Sequence, residues 1–595
     1  MTQPIYFLLL RLWQHTSSRR RTEFGLLLAL MILASFAEIF SIGAVLPFLA
    51  ILTDPELVFA HASVQPIIHV LGLTDSEQLL LPLTIAFGMA TIVAGSMRLL
   101  LVWVSTRLSF AAGADLSLSI YQRTLYQPYA VHLERNSSEI IDGIVNKTNS
   151  TIYLINMTLS LFSSAVMLIA ILMALLTFDP VIALSVFGGF GLIYILIVLL
   201  TRKRLLINSR VVDRESTYVI KSLQEGLGGI RDVLIDGSQA AYCQIYRNAD
   251  QPLRRAQGIN SFISSSPRYI MESLGMLLIA ALAYSLALQD DGLIKAIPIL
   301  GALALGAQRM LPILQQAYGA WSSIQGGRAQ LQSTLDLMDQ PLPFFVGNSP
   351  TEPIPFLREI SLNQISFRYK QDSPWVLEKL TFKILKGSRI GFIGTTGSGK
   401  STLLDLIMGL LQPTTGTMYV DAQPITENNN RAWQAHIAHV PQTIFLADRS
   451  IEENIAFGVS SDNIDSLRVR RAARLAQIDS VIESLPNKYQ TLVGERGIRL
   501  SGGQRQRIGI ARALFKKADV IIFDEATSAL DSETEKAVME AIESSDYQVT
   551  LLIIAHRIST LKNCTQIFEL GDSGIKRSGT YQDIFNAATL KSEKN

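Results

Sequence analysis

Hydrophobic residues are spread unevenly along this chain of 595 residues. Ahead of about position 320 they gather into long runs, and beyond it into short segments separated by polar turns. A bilayer core of about 30 Å is crossed by about 20 apolar residues in a helix. Six runs meet that length, at 24–52, 79–106, 153–177, 181–201, 262–288 and 294–318. The run from Ile5 to Trp13 is short and amphipathic, with arginines beside it, which predicts a helix lying on the membrane surface. Val64, Ile67, Ile68 and Leu71 recur at helical spacing, with Pro66 tolerable in a first turn, and predict an amphipathic helix in the first outer loop.

Charge then orients these spans, because Lys and Arg stay on the cytoplasmic side. Arg19, Arg20 and Arg21 precede the first span, and the stretches 107–152 and 202–261 are rich in Arg and Lys. Residues 53–77 carry Asp54, Glu56, Asp75 and Glu77 and no Lys or Arg. Both termini are therefore expected inside. The two inner connections are long and charged, which predicts helices that continue well into the cytoplasm. They would turn through short helices within Tyr126–Glu139 and Gly228–Gly237.

Composition agrees with a membrane protein. Hydrophobic residues make up 49% of the chain and charged ones 17%, against about 25% charged in soluble proteins. A net charge of +2 does not indicate a nucleic-acid partner. Cys243 and Cys564 fall in different predicted cytoplasmic regions and offer neither a disulfide framework nor a metal site.

After Ile324 the pattern changes. A proline-rich stretch is read as a linker over 326–357, and a second domain over 358–595 follows the membrane domain of 24–325 and the N-terminal surface helix of 1–23. A buried-strand pattern, Ser388 to Ile393, runs into Gly394, Thr395, Thr396, Gly397, Ser398, Gly399, Lys400, Ser401 and Thr402, and a helix begins there. Strand, glycine loop and helix form a phosphate cradle whose backbone N–H groups face an anion at the positive helix end. Lys400 would reach the β- and γ-phosphates of ATP. The hydroxyl of Ser401 would ligate Mg²⁺ together with Asp524, which ends the apolar strand from Val520. Glu525 follows directly and is placed to orient or deprotonate the attacking water.

Between these elements stands Leu500, Ser501, Gly502, Gly503 and Gln504, which resembles the signature of ATP-binding cassette (ABC) proteins. The resemblance implies further roles. Gln442 matches the glutamine that senses magnesium, Asp531 lies in the loop after the catalytic strand, and His556 matches the histidine that contacts the γ-phosphate. Tyr369 stands where the family stacks an aromatic ring on adenine. ATP would lie between the glycine loop of one copy and Ser501–Gly503 of another, so a homodimer is expected. Six spans followed by one cassette resembles the type I ABC exporters. That implies an all-α transmembrane domain fused to an α/β P-loop ATPase domain, working in a bacterial inner membrane.

Glu38, Arg98, Arg268, Glu272 and Arg309 lie in or near predicted spans, where charge is costly. Arg98, Arg268 and Arg309 could converge on an anionic substrate group, since guanidinium pairs well with phosphate. They could equally form structural ion pairs with the two glutamates. Segments around Ser35–Phe48, Pro267–Glu272 and Arg309–Pro312 resemble PglK-type lipid-linked oligosaccharide flippases. This implies a polyprenyl-pyrophosphate-linked glycan as cargo. Exporters of lipid A-like lipids, hydrophobic drugs or peptides stay open as alternatives, as does a nucleotide-gated channel or regulator on the same scaffold.

Overall fold

The computed structural model describes residues 3–44, 48, 51–52, 55–60, 65, 68, 72–178, 180–287, 310–343, 346, 352–527, 529–543, 548–555 and 557–585. The chain divides into two compact units, Met1–Gln127 with His132–Pro343, and Pro128–Val131 with Phe344–Asn595.

The first unit is helical: α1 (Ile5–His15), α2 (Ser18–Gly43), α3 (Leu80–Leu125), α4 (Tyr129–Glu134, whose first three residues count with the second unit), α5 (Thr148–Phe178), α6 (Pro180–Gly228), α7 (Ile230–Ile235), α8 (Gln239–Ala287) and α9 (Arg328–Met338). Among the described residues, three stretches are long and apolar enough to cross a membrane: Ser18–Ser41, Leu80–Leu125 and Ser137–Met173. With 46 residues, α3 reaches about 70 Å, more than twice the thickness of a hydrocarbon core. The charged inner connections are thus continuations of the spans. The short turning helices fall at α4 and α7, inside the expected segments. Most of the sixth run, 294–318, lies outside the described residues, and helix is seen again across 310–326. Of the outer-loop positions Val64, Ile67 and Leu71 lie outside them too, while Ile68 is buried beside Ile51, Val58 and Leu79.

The stretch read as a linker opens as helix. Leu331 and Leu335 of α9 are buried against Leu8 of α1. Arg11 bonds Asp336 at 2.9 Å and also Asp339, and Arg328 Nε donates to the carbonyl of Gln3 at 2.7 Å. Amphipathic spacing held α9 in the helical unit, and the proline signals begin only at Pro341.

A buried polar knot ties the extended helices together. Asp142 is fully buried and accepts from Ser216 (2.6 Å) and Thr217 (2.8 Å) of α6 and from Asn146 (2.8 Å). A π-turn over Gly143–Lys147 carries Lys147 to Asp213 at 2.9 Å, and Ser333 of α9 donates to the same Asp213 at 3.0 Å. Gly143 lets this turn pack closely on α9: a Cβ there would stand 2.4 Å from Leu337 Cδ1, which would have to shift.

In the second unit a six-stranded sheet has the order β10-β9-β3-β8-β7-β6. Its strands are β3 (Arg389–Gly394), β6 (Ile437–Val440), β7 (Val520–Asp524), β8 (Thr550–Ile554), β9 (Gln566–Gly571) and β10 (Gly574–Gly579). Only the β9–β10 pair is antiparallel. A four-stranded antiparallel sheet, β2-β1-β4-β5, stands beside it, with β1 (Glu359–Phe367), β2 (Leu377–Leu385), β4 (Thr415–Val420) and β5 (Gln423–Pro424). Alternate residues of β7 feed different cores: Ile521 and Phe523 on one face, Val520 and Ile522 on the other. Burial on both faces explains the unbroken apolar run of that strand.

Removing one partner of a buried charged cluster costs about 3–5 kcal/mol. Asp142→Ala should therefore lower the thermal unfolding midpoint of the purified protein clearly, and Asp142→Asn, which keeps an acceptor, should lower it less. Equal midpoints for all three would show that the knot contributes nothing to stability.

Candidate nucleotide site

Parallel pairing sets the site. Registers Ile390↔Leu552 and Val520↔Thr550 bring the carboxyl ends of β3, β7 and β8 to one edge of the sheet. From that edge the glycine loop leaves β3 and enters α10 (Lys400–Ile407). Gly394 has φ 149°, and a Cβ there would meet the Leu570 carbonyl at 2.4 Å and Ser398 Oγ at 2.7 Å. Gly399 caps α10 at φ 88° and packs where a Cβ would press on Leu377 at 2.7 Å. These positions need glycine so that the backbone can curl its N–H groups toward one point. Ser398 Oγ is buried with no hydrogen-bond partner. Lys400 Nζ arches over the loop, donating to the carbonyls of Gly394 (2.8 Å) and Thr395 (2.9 Å). Thr396, Gly397 and Ser401 line the outer side of the same turn and are exposed. Tyr369 is 51% exposed, packs edge-on to Phe367, and its hydroxyl lies 3.1 Å from Thr402 Oγ1.

Asp524 and Glu525 end β7. Glu525 adopts φ 52°, uncommon for a residue with a side chain, and its N–H donates to the Ile554 carbonyl at 3.0 Å. That bond to the neighbouring strand holds the strained turn. Gln442 Nε2 donates to Glu525 Oε2 at 2.6 Å. Sequence spacing could not measure that meeting across 83 positions, but the structure does. Burial and the nearby Glu525 push the Asp524 carboxyl above its ordinary range, with Lys400 opposing.

Asp405 escaped the sequence reading. Burial and repulsion from Asp524 push its carboxyl up to about 6. The available signal was its place four residues after Ser401, on the same face of α10. Two half-buried carboxylates, a lysine over a glycine loop and an orphaned buried hydroxyl fit a polyphosphate with a hard divalent cation. Among the described residues no cluster of three His, Cys, Asp or Glu side chains exists. Mg²⁺ needs none, since one carboxylate plus substrate phosphates suffices. Asp524, with Ser401 and Gln442, would hold the ion, which would neutralise charge on the transferred phosphoryl group.

The signature segment is a separate construction. Ser501 caps α11 (Gly502–Lys516) through a capping box: Gln504 N–H donates to Ser501 Oγ (3.3 Å), and Ser501 N–H donates to Gln504 Oε1 (2.9 Å). The Gln504 side chain is therefore committed to the cap, while the N–H groups that open the helix at Gly502 and Gly503 point outward from it. Ala529 N–H donates to Gln506 Oε1 at 3.0 Å, tying the loop after β7 to this helix. Asp531 caps the helix Ser532–Glu543 by accepting from Thr534 N–H at 2.8 Å, a role the sequence reading did not foresee. Ser528 and His556 lie outside the described residues.

In the membrane unit Arg98 lines a cavity of about 360 Å³ with Glu38, and Arg268 does not. Arg268 is largely exposed on α8 and pairs with Glu272 at 2.9 Å. Helical spacing of four explains that pairing. Arg309 lies outside the described residues.

Residues 24–304 match the family described as ABC transporter transmembrane region, and residues 377–528 match the family described as ABC transporter. The chain is 32% identical over 404 residues to an ATP-dependent lipid A-core flippase of Alkalilimnicola ehrlichii, covering 67% of each. It is 26% identical over 483 residues to the protein of that name from Ralstonia nicotianae, covering 79% of this chain and 80% of that one. A solved structure of a bacterial Atm1-family ABC exporter with ATP bound aligns with TM-score 0.75 and 23% identity, over 97% of this chain and 98% of that chain. At that identity the match shows a shared fold, a helical exporter region fused to an α/β ATPase.

Glu525→Gln is nearly isosteric and removes the carboxylate that would take a proton, so ATP turnover should fall about 10²–10⁴-fold with nucleotide affinity little changed. Gly394→Ala should instead weaken nucleotide binding at least about tenfold, because the new methyl meets backbone. The raised Asp405 carboxyl means the folded protein holds a proton there that the unfolded chain releases from about pH 4 upward. Stability of the nucleotide-free protein should therefore fall as pH rises through about 4 to 6. Asp405→Asn should flatten that trend in unfolding scans.

Proposed function

The chain belongs to the ABC transporter family, as an ATP hydrolase coupled to transport across a membrane with ATP and Mg²⁺ as cofactors. From that premise we propose that it is a flippase working as a homodimer in a bacterial inner membrane, with termini and ATPase unit on the cytoplasmic side. Its cargo is a lipid carrying a glycan through an anionic linkage, a lipid-linked oligosaccharide or a related glycolipid. Relatives named as lipid A-core flippases support an amphiphilic cargo of this kind. The positive-inside pattern supports the orientation.

One observation carries the substrate reading. The cavity between α2, α3, α5 and residues 312–316 is lined by Arg98, Glu38, Ser163, Ser164 and Gln316 amid apolar side chains. Ser164 Oγ is buried there with no hydrogen-bond partner. Polar groups at such a depth are costly unless they meet a polar ligand or one another. A pyrophosphate would meet the guanidinium of Arg98 in this cavity.

In each cassette, Lys400 and the loop N–H groups would bind phosphate, and Gln442 would hold Glu525 toward the attacking water. Signature residues Ser501–Gly503 of the second copy would close over the nucleotide. A half-transporter with one glycine loop and one signature needs a second copy to complete two such sites.

Proteoliposomes with fluorescent polyprenyl-pyrophosphate oligosaccharide test the proposal. Wild-type protein should flip it with ATP, Lys400→Ala should neither flip nor hydrolyse, and Arg98→Ala should lose at least about tenfold in flipping while its basal hydrolysis stays within about twofold. Wild-type flipping by Arg98→Ala would remove that arginine from the cargo path. Movement of a lipid A-type glycolipid alone would move the cargo to the second reading.

A further inference from the structure

Beneath α1 the membrane unit holds a groove of about 680 Å³, within the usual range for small-molecule pockets, which shares no lining residue with the Arg98 cavity although Phe162 of the one adjoins Ser163 of the other. Its walls come from four helices: Trp13 on α1, Phe24 and Leu28 on α2, Leu116 on α3 and Phe162 on α5, with Met338 of α9 at its inner end. Trp13, Leu28 and Phe162 each keep between 45% and 56% of their surface exposed, so this is an open apolar face. It lies along the flanks of α2 and α5, two helices apolar enough to span a membrane. The medium it meets is therefore lipid.

The mouth of the groove is charged unevenly. Arg20 is engaged by Asp115 at 2.8 Å and by Glu23 at 2.7 Å, and Arg19 leans on Glu23 at 3.1 Å. Arg21 makes no ion pair among the described residues. Its guanidinium sits 5.8 Å above the Trp13 ring, steadied by one bond from Nη2 to the Gln14 carbonyl at 3.0 Å. Three arginines thus face two carboxylates, and the surplus cation is held on the ring that roofs the apolar groove. A planar donor fork fixed beside an acyl-sized channel matches a phosphodiester with a hydrocarbon tail.

We propose that this groove holds a resident anionic phospholipid of the leaflet on which α1 lies, with one acyl chain between α2 and α5 and its phosphate at Arg21. The chain's end would reach Met338 on α9, the helix clamped to α1 by Arg11 and Leu8. The lipid would brace that junction just before the polypeptide leaves for the ATPase unit. The proposal rests on the membrane-surface placement of α1 and is independent of the cargo.

Full-length protein in nanodiscs gives the test, with Trp13 as reporter. Brominated phosphatidylglycerol or brominated phosphatidylcholine is titrated into an unlabelled neutral bilayer, and the Trp13 signal is taken as the difference between wild type and Trp13→Phe. Half-maximal quenching should need at least about fivefold less phosphatidylglycerol than phosphatidylcholine. Arg21→Gln should bring the two curves together, whereas Arg107→Gln, whose guanidinium stacks on Trp103 outside the groove, should leave the preference intact. Leu28→Phe should narrow the channel and weaken quenching by both lipids. Native mass spectrometry should find one phosphatidylglycerol per chain retained by wild type and lost in Arg21→Gln. Coincident wild-type curves, or a preference that survives Arg21→Gln, would overturn the proposal, and either result leaves the transport assay unaffected.

Discussion

Parallel pairing among β3, β8, β7 and β6 is the constraint from which the rest of the ATPase unit follows. Strands that run the same way must end on the same side, so the glycine loop after β3, the carboxylates after β7 and the residues after β6 emerge at one edge. Crossover segments then have to pack on both faces, and both faces are apolar cores. Gln442 and Glu525 meet at 2.6 Å because their strands are neighbours at that edge.

What gathers there is unfavourable without a cation. Asp524 and Asp405 are partly buried carboxylates: burial and Glu525 raise the proton affinity of Asp524, with Lys400 opposing, and burial and Asp524 raise that of Asp405. Glu525 is held in a left-handed turn by its bond to Ile554. Strain and like charge of this sort persist where the surrounding sheet over-determines the geometry. A bound Mg²⁺ would relieve part of that repulsion.

The membrane unit applies the same logic with the opposite solvent. Apolar runs face lipid, and the charges within them are disposed of individually: Arg268 against Glu272 on one helix, Arg98 in a cavity with Glu38. Below the spans, water allows long polar continuations, and there the helices are joined by buried bonds centred on Asp142 and Asp213. The clamp between α1 and α9 joins the first and last described helices of this unit.

Much of this could be read from residue order alone. Apolar run lengths gave candidate spans, three of which are long apolar helices among the described residues, Lys and Arg gave an expected orientation, and the ordered motifs from Gly394 to Glu525 gave the ATPase, because each depends on chemistry local in sequence. Three things depended on tertiary structure. The length and charge of the inner connections already predict helix there, but which helices they tie together, as Asp142 does with Ser216 and Thr217 of α6, depends on long-range packing. Helix α9 was taken for linker because its partner, α1, lies more than three hundred residues away. The closeness of Asp405 to Asp524 and the separation of Arg268 from Arg98 were invisible because proximity across a fold is set by packing, which leaves no periodic trace in a single chain.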